Sequence, residues 1–406
     1  MLIQIKVAGF RSIGKEVILS FMPVTTDKQY QENIFRIGSY TALNTLAIYG
    51  KNGSGKSSLF NAISCMQKMV LSSDGYKTRQ CLPFAPFFWS DPDLALTEFE
   101  IIFIGGNQVK YRYGFCYNAV AVQREWLYRQ EVNQLDEINL FERECDIIDA
   151  NHNSFKDQEK QINKAIVATG SNNLFLTTCT NMKIEEAVVV LDWFGKQCKV
   201  VGEGELSTDV IKKSYAFINM YKTLAIKLFD AFNLDMTPLS FSEEAQNSGI
   251  GYGSSGTRQI IQMLEPLINA LMEGGLLAID DIDRGLHPAL KLKLIEIFLD
   301  PATNPNRSQL FFSTNDTCLM THTKTREDQI YFAEKNKDAT ELFCLSDFVY
   351  FEDWQAQNNP DSSFLESKRL ENHSPAVRGE RYLTGRYGAV PSIGDLKQIL
   401  QNYLFS

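Results

Sequence analysis

Apolar and polar positions alternate over residues 2–7, the period of a half-buried strand, and a second strand is predicted over 17–21, with Arg11, Ser12 and Gly14 in a turn between them. Residues 45–49 form an unbroken apolar run that stops on Gly50, the pattern of a strand buried on both faces. From 57 to 70 the spacing becomes helical, which assigns Met66 and Met69 to the core. Residues 97–130 predict a β-meander: 99–104, a Gly105-Gly106-Asn107 turn, 109–117, then 120–128. Polar and charged residues dominate 131–170, predicting loop with a short helix. Helical patterns resume at 182–195 and 208–232, and a polar, glycine-bearing stretch over 242–256 precedes a helix reaching Met272. A strand at 276–280, a helix at 288–299 and strands at 309–313 and 330–334 follow, and the chain beyond 350 reads as irregular and arginine-bearing. Candidate parallel strands thus stand at both ends of the chain with the middle inserted between them.

That placement gives chemical meaning to Gly50-Lys51-Asn52-Gly53-Ser54-Gly55-Lys56-Ser57, which satisfies GxxxxGK[ST] between a predicted strand and a predicted helix. In such a loop backbone N–H groups and a helix N-terminus together hold phosphate, and glycines let the backbone approach it closely. Lys56 is expected to reach the β- and γ-phosphates, and the Ser57 hydroxyl to ligate Mg²⁺. The run Leu276-Leu277-Ala278-Ile279 ends on Asp280 and Asp281, placing two carboxylates at the carboxyl edge of a sheet, where open α/β folds bind ligands. Asp280 is expected to hold Mg²⁺ and Asp281 to polarise the attacking water.

Gly253-Ser254-Ser255-Gly256-Thr257-Arg258, shortly before that strand, resembles the signature motif of ABC ATPases. The resemblance implies that Ser254, Gly256 and Thr257 bind the γ-phosphate held by an opposite subunit, so that ATP is sandwiched in a dimer. The order of P-loop, long insertion, signature and acidic strand is similar to the RecF, SMC and OLD group. Phe10-Arg11-Ser12 is similar to that group's start, which implies that Arg11 and Ser12 approach nucleotide phosphates together with Asn52, Gly53, Ser54, Gly55, Lys56, Ser57 and Ser58. A further resemblance, to bacterial AAA-type ATPases of abortive infection and phage defence, rests on five segments. These are Thr97-Glu98-Phe99-Glu100, Tyr111-Arg112-Tyr113-Gly114-Phe115, Glu125-Trp126-Leu127-Tyr128, Leu286-His287-Pro288 and Gly385-Arg386-Tyr387-Gly388-Ala389-Val390-Pro391. The implied fold is α/β: a P-loop ABC-type core with a mixed β-sheet over 1–130 and 240–350, an inserted, mostly helical lobe over 131–239, and a partner-binding tail over 351–406.

Three positions depart from the family pattern. Asp281 stands where glutamate is usual, Asn315 where a histidine senses the γ-phosphate, and Asn181 where the Q-loop glutamine would approach Mg²⁺. Asparagine hydrogen-bonds phosphate or metal-bound water but carries no charge, and a carboxylate one methylene short sits farther from its water. The expectation is tight ATP binding with slow turnover.

Composition narrows the partners. A formal charge of −9 argues against a surface coated for non-specific nucleic-acid binding. No apolar run reaches bilayer length and no secretory pattern opens the chain, so a cytoplasmic protein without a membrane partner is expected. The eight cysteines form no CxxC pair and the four histidines no metal or catalytic grouping, so free thiols are expected. No second catalytic centre is recognisable, which suggests a homodimeric or higher-order ATP clamp controlling a separate effector such as a nuclease or toxin. Lys368, Arg369, Arg378, Arg381 and Arg386 offer a rival reading, phosphate contacts to DNA, against a tail balanced by Glu366, Glu371 and Glu380. A transporter subunit fits the β-meander poorly. The aromatic, proline-bearing stretch at 83–89 reads as a packed loop in preference to a base-stacking platform.

Overall fold

The computed structural model describes residues 1–24, 28–75, 80–91, 93–131, 133–202, 208–232, 255–348 and 374–391. Its strands are β1 (Leu2–Ala8), β2 (Val17–Ser20), β3 (Ile34–Ile37), β4 (Tyr40–Leu43), β5 (Thr45–Tyr49), β6 (Thr97–Ile104), β7 (Val109–Tyr117), β8 (Val122–Glu131), β9 (Ile138–Glu144), β10 (Ile147–Ala150), β11 (Cys198–Val201), β12 (Leu276–Ile279), β13 (Gln309–Thr314), β14 (Ile330–Asn336) and β15 (Ala339–Cys344). Its helices are α1 (Lys56–Ser72), α2 (Glu159–Ala168), α3 (Phe175–Asn181), α4 (Glu185–Asp192), α5 (Thr208–Met220), α6 (Lys222–Ala231), α7 (Ser255–Glu273), α8 (Pro288–Leu299), α9 (Thr317–His322) and α10 (Pro375–Leu383).

Six strands form a mixed sheet ordered β11-β12-β13-β5-β14-β15, parallel except for the closing β14–β15 hairpin. β5, from the start of the chain, is inserted between β13 and β14 from its end, so the core is discontinuous in sequence. The apolar runs follow from burial on both faces. Leu46, Ile48, Leu276, Ala278 and Phe311 join one core, while Ala47, Tyr49, Leu277, Ile279, Leu310 and Phe312 join the other. On the first face α1 packs in, with Phe60 stacked on Phe311 at 4.3 Å. On the second lie α7, α8, α9 and α10.

The meander is the centre of a seven-stranded antiparallel sheet, β10-β9-β8-β7-β6-β1-β2. Its conspicuous motifs lock one strand to the next. A Cβ on Gly114 would collide with the Trp126 indole, whose Nε1 donates to Glu100 at 2.8 Å. Lys6 pairs with Glu98 at 3.0 Å, and the Arg112 guanidinium lies 4.0 Å over the Tyr128 ring.

Two sequence expectations need correction here. Residues 138–150, expected as loop, are the β9–β10 hairpin, turning at Cys145 with φ 53°, a conformation no glycine or asparagine announced. The helices of 131–239 therefore share that stretch with β9 and β10, which extend the antiparallel sheet, and with β11, the edge of the parallel one. The irregular arginine-bearing tail contains α10, packed beside α9. Ser374 caps it, accepting from the Ala376 N–H, and Arg378 is fully buried, donating to the Thr325 carbonyl at 2.7 Å. Arg378 is therefore unavailable to DNA phosphates, while Lys368 and Arg369 lie outside the described residues.

Candidate nucleotide-binding site

The three parallel strands β12, β13 and β5 end side by side, and their carboxyl ends carry the candidate groups. Tyr49 closes β5, and the chain turns through Gly50 (φ 154°), Gly53 (79°) and Gly55 (100°) before α1 begins at Lys56. The last two values belong to glycine. At Gly55 the constraint is also steric, because a Cβ would overlap Thr340 Oγ1 and Ser12 Oγ. Lys56 Nζ folds back over the loop, donating to the Gly50 carbonyl, to Lys51 O (3.3 Å) and to Asn315 Oδ1 (2.9 Å). Asn315 Nδ2 donates to Asn52 Oδ1 at 3.1 Å, so the amide at the end of β13 is tied to the loop through both of its ends.

Ser12 stands beside the first turn of α1. Its Oγ lies 2.7 Å from Ser58 Oγ and accepts from Thr340 Oγ1 at 2.8 Å. Arg11 (φ 51°) is in the same turn. The turn, the loop and β15 are thereby one unit, with Thr340 also bonded to the Ser54 carbonyl at 3.0 Å.

Beyond β12, Asp280 is 5% exposed. Ser313 Oγ donates to its Oδ1 at 2.7 Å and accepts the Asp281 N–H at 2.7 Å. Asp280 Oδ2 is buried with no hydrogen-bond partner among the described residues. A buried carboxylate oxygen left this way is costly unless a cation or donor completes it. Asp281 takes φ 56°, which aspartate tolerates better than most residues, and Gln259 on α7 donates to its carbonyl at 3.4 Å. Asp283 holds the end of β13 by accepting from Thr314 Oγ1 (2.7 Å) and the Asn315 N–H (2.6 Å). Lys291 joins Asp283 (3.2 Å) to Asp316 (2.5 Å). Burial pulls the Lys291 ammonium down, but the Asp316 hydrogen bond and the Asp283 charge outweigh it and hold the pKa above the ordinary lysine value.

For Mg²⁺ the donor set fits: Asp280 Oδ2 is unsatisfied, and Ser57 offers a hydroxyl at the start of α1. Hard oxygen donors of this kind, with the remaining ligands from water and phosphate, suit Mg²⁺ better than a softer metal.

The structure thus brings together Arg11, Ser12, Asn52, Gly53, Ser54, Gly55, Lys56, Ser57, Ser58, Asp280, Asp281 and Asn315. Asn181 does not belong with them. Its Nδ2 donates to Asp74 at 3.2 Å, just past the far end of α1, about 25 Å along that helix from Lys56. The Q-loop assignment is corrected accordingly. Ser254 lies outside the described residues, and Gly256 and Thr257 are buried in the first turn of α7.

Sequence reasoning missed three contributors. Ser313 holds Asp280, Thr340 holds Ser12, and the Ala389 carbonyl accepts the Lys51 N–H at 3.0 Å. Ala389 follows Gly388 in the Gly385–Pro391 motif, both at positive φ, and its carbonyl also accepts from Tyr382 OH at 3.2 Å. That motif braces the P-loop from behind.

Among solved structures the chain is similar to the SMC head domain from Thermotoga maritima, with 11% identity over 84% of this chain and 98% of that one, at a TM-score of 0.34. It is also similar to the ATP-bound recombination mediator RecF of the RecFOR pathway, with 14% identity over 84% and 99%, at a TM-score of 0.33. Likenesses this distant carry no argument about the site. No curated protein matches the chain. The family model described as "AAA domain, putative AbiEii toxin, Type IV TA system" matches residues 46–176 and 208–320, more than half of the chain and inclusive of the P-loop and the acidic strand end. On that match the protein belongs to this AAA family.

Proposed function

We propose that the protein binds ATP with Mg²⁺ on the Gly50–Ser57 loop, closes as a homodimer around it, and turns it over slowly. In this reading it serves as the sensor or scaffold of an antiphage system whose damage is done by a separate effector, a nuclease or toxin. The observation that carries the reading is the buried, unpartnered Asp280 Oδ2 at the edge of the sheet that presents the P-loop. Bound there, Mg²⁺ would offset phosphate charge; Asp280 and Ser57 would hold it. The loop's N–H groups and the N-terminus of α1 bind phosphate, and Lys56 supplies positive charge after exchanging Asn315 and the loop carbonyls for phosphate oxygens.

Slow turnover follows from two residues. Asp281 positions water with a short carboxylate, and its backbone is pinned by Ser313, so it cannot advance to make up the missing methylene. Asn315 meets the γ-phosphate with a neutral amide. The family description, which names a putative toxin of a Type IV TA system, is in keeping with a defence role. Purified protein is expected to bind ATP tightly, hydrolyse it slowly and gain mass when ATP is added. The Asp281→Glu, Asn315→His double variant is expected to gain turnover by about tenfold or more, the scale of a repositioned general base. Rapid turnover by the wild type, or a monomer with ATP bound, would end the clamp reading.

A further inference from the structure

The aromatic stretch after α1 divides in two. Phe84 packs edge-on against Tyr117 at 5.8 Å, and the Phe87 ring lies where a Cβ on Gly14 would come within 3.1 Å of it. Phe88 and Trp89, by contrast, are 68% and 69% exposed, and among the described residues every other phenylalanine and tryptophan is buried or half-buried. Exposure on this scale forfeits the stabilisation that burial of two rings would bring. Nor is it slack in the chain. Ser90 donates to the Phe87 carbonyl through both N–H (3.0 Å) and Oγ (2.7 Å), and Asp91 Oδ1 accepts from the Asp93 N–H at 3.0 Å.

The position of this turn is more telling than its exposure. Phe87 N–H donates to Gly9 O (3.1 Å), Arg11 N–H to Ala85 O (2.9 Å) and Phe88 N–H to Arg11 O (2.9 Å). The aromatic turn is therefore stitched to the Arg11 turn, whose next residue, Ser12, touches Ser58 in the first turn of α1. A nucleotide with its β- and γ-phosphates on the loop must lay its sugar and base on surface bordering that loop. On this border stand Arg11 and the exposed Phe88 and Trp89.

We propose that Phe88 and Trp89, together with Arg11, form the platform on which the nucleobase stacks. The proposal rests on the P-loop reading above. Aromatic faces and the planar guanidinium bind any base through its π-face, so ATP and GTP should both gain from the platform, whereas a ligand without a base should not.

The test compares ATP with inorganic tripolyphosphate, by calorimetry in Mg²⁺ on the full chain at a concentration where it is monomeric. The Phe88→Ala, Trp89→Ala double variant, whose side chains are exposed and leave the fold intact, is expected to weaken ATP and GTP by about tenfold, the scale of one lost stacking contact. Tripolyphosphate binding should be unchanged. Trp89 emission should be quenched by ATP in the wild type and by no more than background in Trp89→Phe. Equal weakening of ATP and tripolyphosphate, or no change in either, would overturn the platform. Unchanged ATP affinity with loss of ATP-dependent association would also overturn it, assigning the rings to a contact between subunits. Lys56→Ala separates the two readings: if it leaves both ligands bound as before, the P-loop assignment itself fails.

Discussion

Glu125, on β8 of the antiparallel sheet, and Asp280, just past β12 of the parallel sheet, are both carboxylates withdrawn from water, at 1% and 5% exposure. Glu125 is closed within the chain. Its Oε1 accepts from Tyr113 OH (3.0 Å) and the Leu176 N–H (2.9 Å), its Oε2 from the Phe175 N–H (2.7 Å), and Arg143 Nη1 lies 3.8 Å away. Arg143 is satisfied in turn by the carbonyls of Cys145, Asn173, Gly170 and Ser171. This cluster fastens the start of α3 to the meander. Asp280 has Ser313 on one oxygen and, among the described residues, no hydrogen-bond partner on the other. Burial costs a carboxylate the same hydration in either place, so the difference lies in what completes the charge. For Glu125 the completion is architecture; for Asp280 none of the described residues supplies it, and Mg²⁺ is the proposed partner.

The sharpest way to break this contrast is at Glu125. Glu125→Ala strands a buried Arg143 and two amide N–H groups at once, and removing one partner of a buried pair costs about 3–5 kcal/mol. A large fall in the denaturation midpoint is expected, with nucleotide affinity of the remaining folded protein preserved. A mild stability effect would show that water reaches this cluster and that the contrast is false.

Asp280→Asn should do the reverse. The amide oxygen can keep the Ser313 bond while the unpaired charge disappears, so stability without metal should hold or rise slightly. The Mg²⁺ dependence of ATP binding should fall by about tenfold or more, the scale of one lost charged ligand. Titration of ATP with and without Mg²⁺, beside a thermal melt, reads both. A destabilised variant with intact Mg²⁺ dependence would make Asp280 structural as well.

How much of this was legible in advance follows the same division. Residues 45–57 declare themselves because the apolar run, the glycines and the Lys56-Ser57 pair are contiguous, and every force that shapes the loop is local. Thr340 was invisible because β15 follows a turn through Lys337 (φ 45°) and Asp338 (φ 74°) with no glycine to mark it. Ala389 acts through its backbone carbonyl, which no side-chain pattern encodes. Gly379, which discourages a helical reading of α10, is required there because a Cβ would collide with Thr321 on the packed α9. Asn181 was misassigned because nearness to a motif in sequence says nothing about which end of α1 a side chain meets.

Ser313 tests the contrast more finely. Ser313→Ala removes one donor to Asp280 and the acceptor of the Asp281 N–H, and it should cost about 1–3 kcal/mol in the absence of metal. Turnover should fall further than ATP affinity, because Asp281 loses its anchor while the P-loop keeps its own. Equal losses in both would mean that Ser313 supports only the metal.

The smallest expected effect is in pH dependence. Burial, the largest influence on Glu125, raises its carboxyl above the ordinary value, and the Arg143 charge and the amide and phenol hydrogen bonds recover only part of the shift. A group with a raised folded pKa binds its proton more readily in the folded state than in the unfolded one. Its contribution to stability is therefore full below the ordinary carboxylate range and is lost as pH rises through the raised value. Glu125→Gln, already uncharged, has one acceptor oxygen for the three donors that the two carboxylate oxygens satisfy, so it should be less stable than the wild type at every pH where both are neutral. It should also lack this one component of the acid-side curve. Denaturation midpoints for the pair, measured across the acid range, should converge or diverge with pH by the amount Glu125 contributes. Curves that stay parallel would mean that the carboxyl titrates alike folded and unfolded, and that Arg143 compensates burial completely.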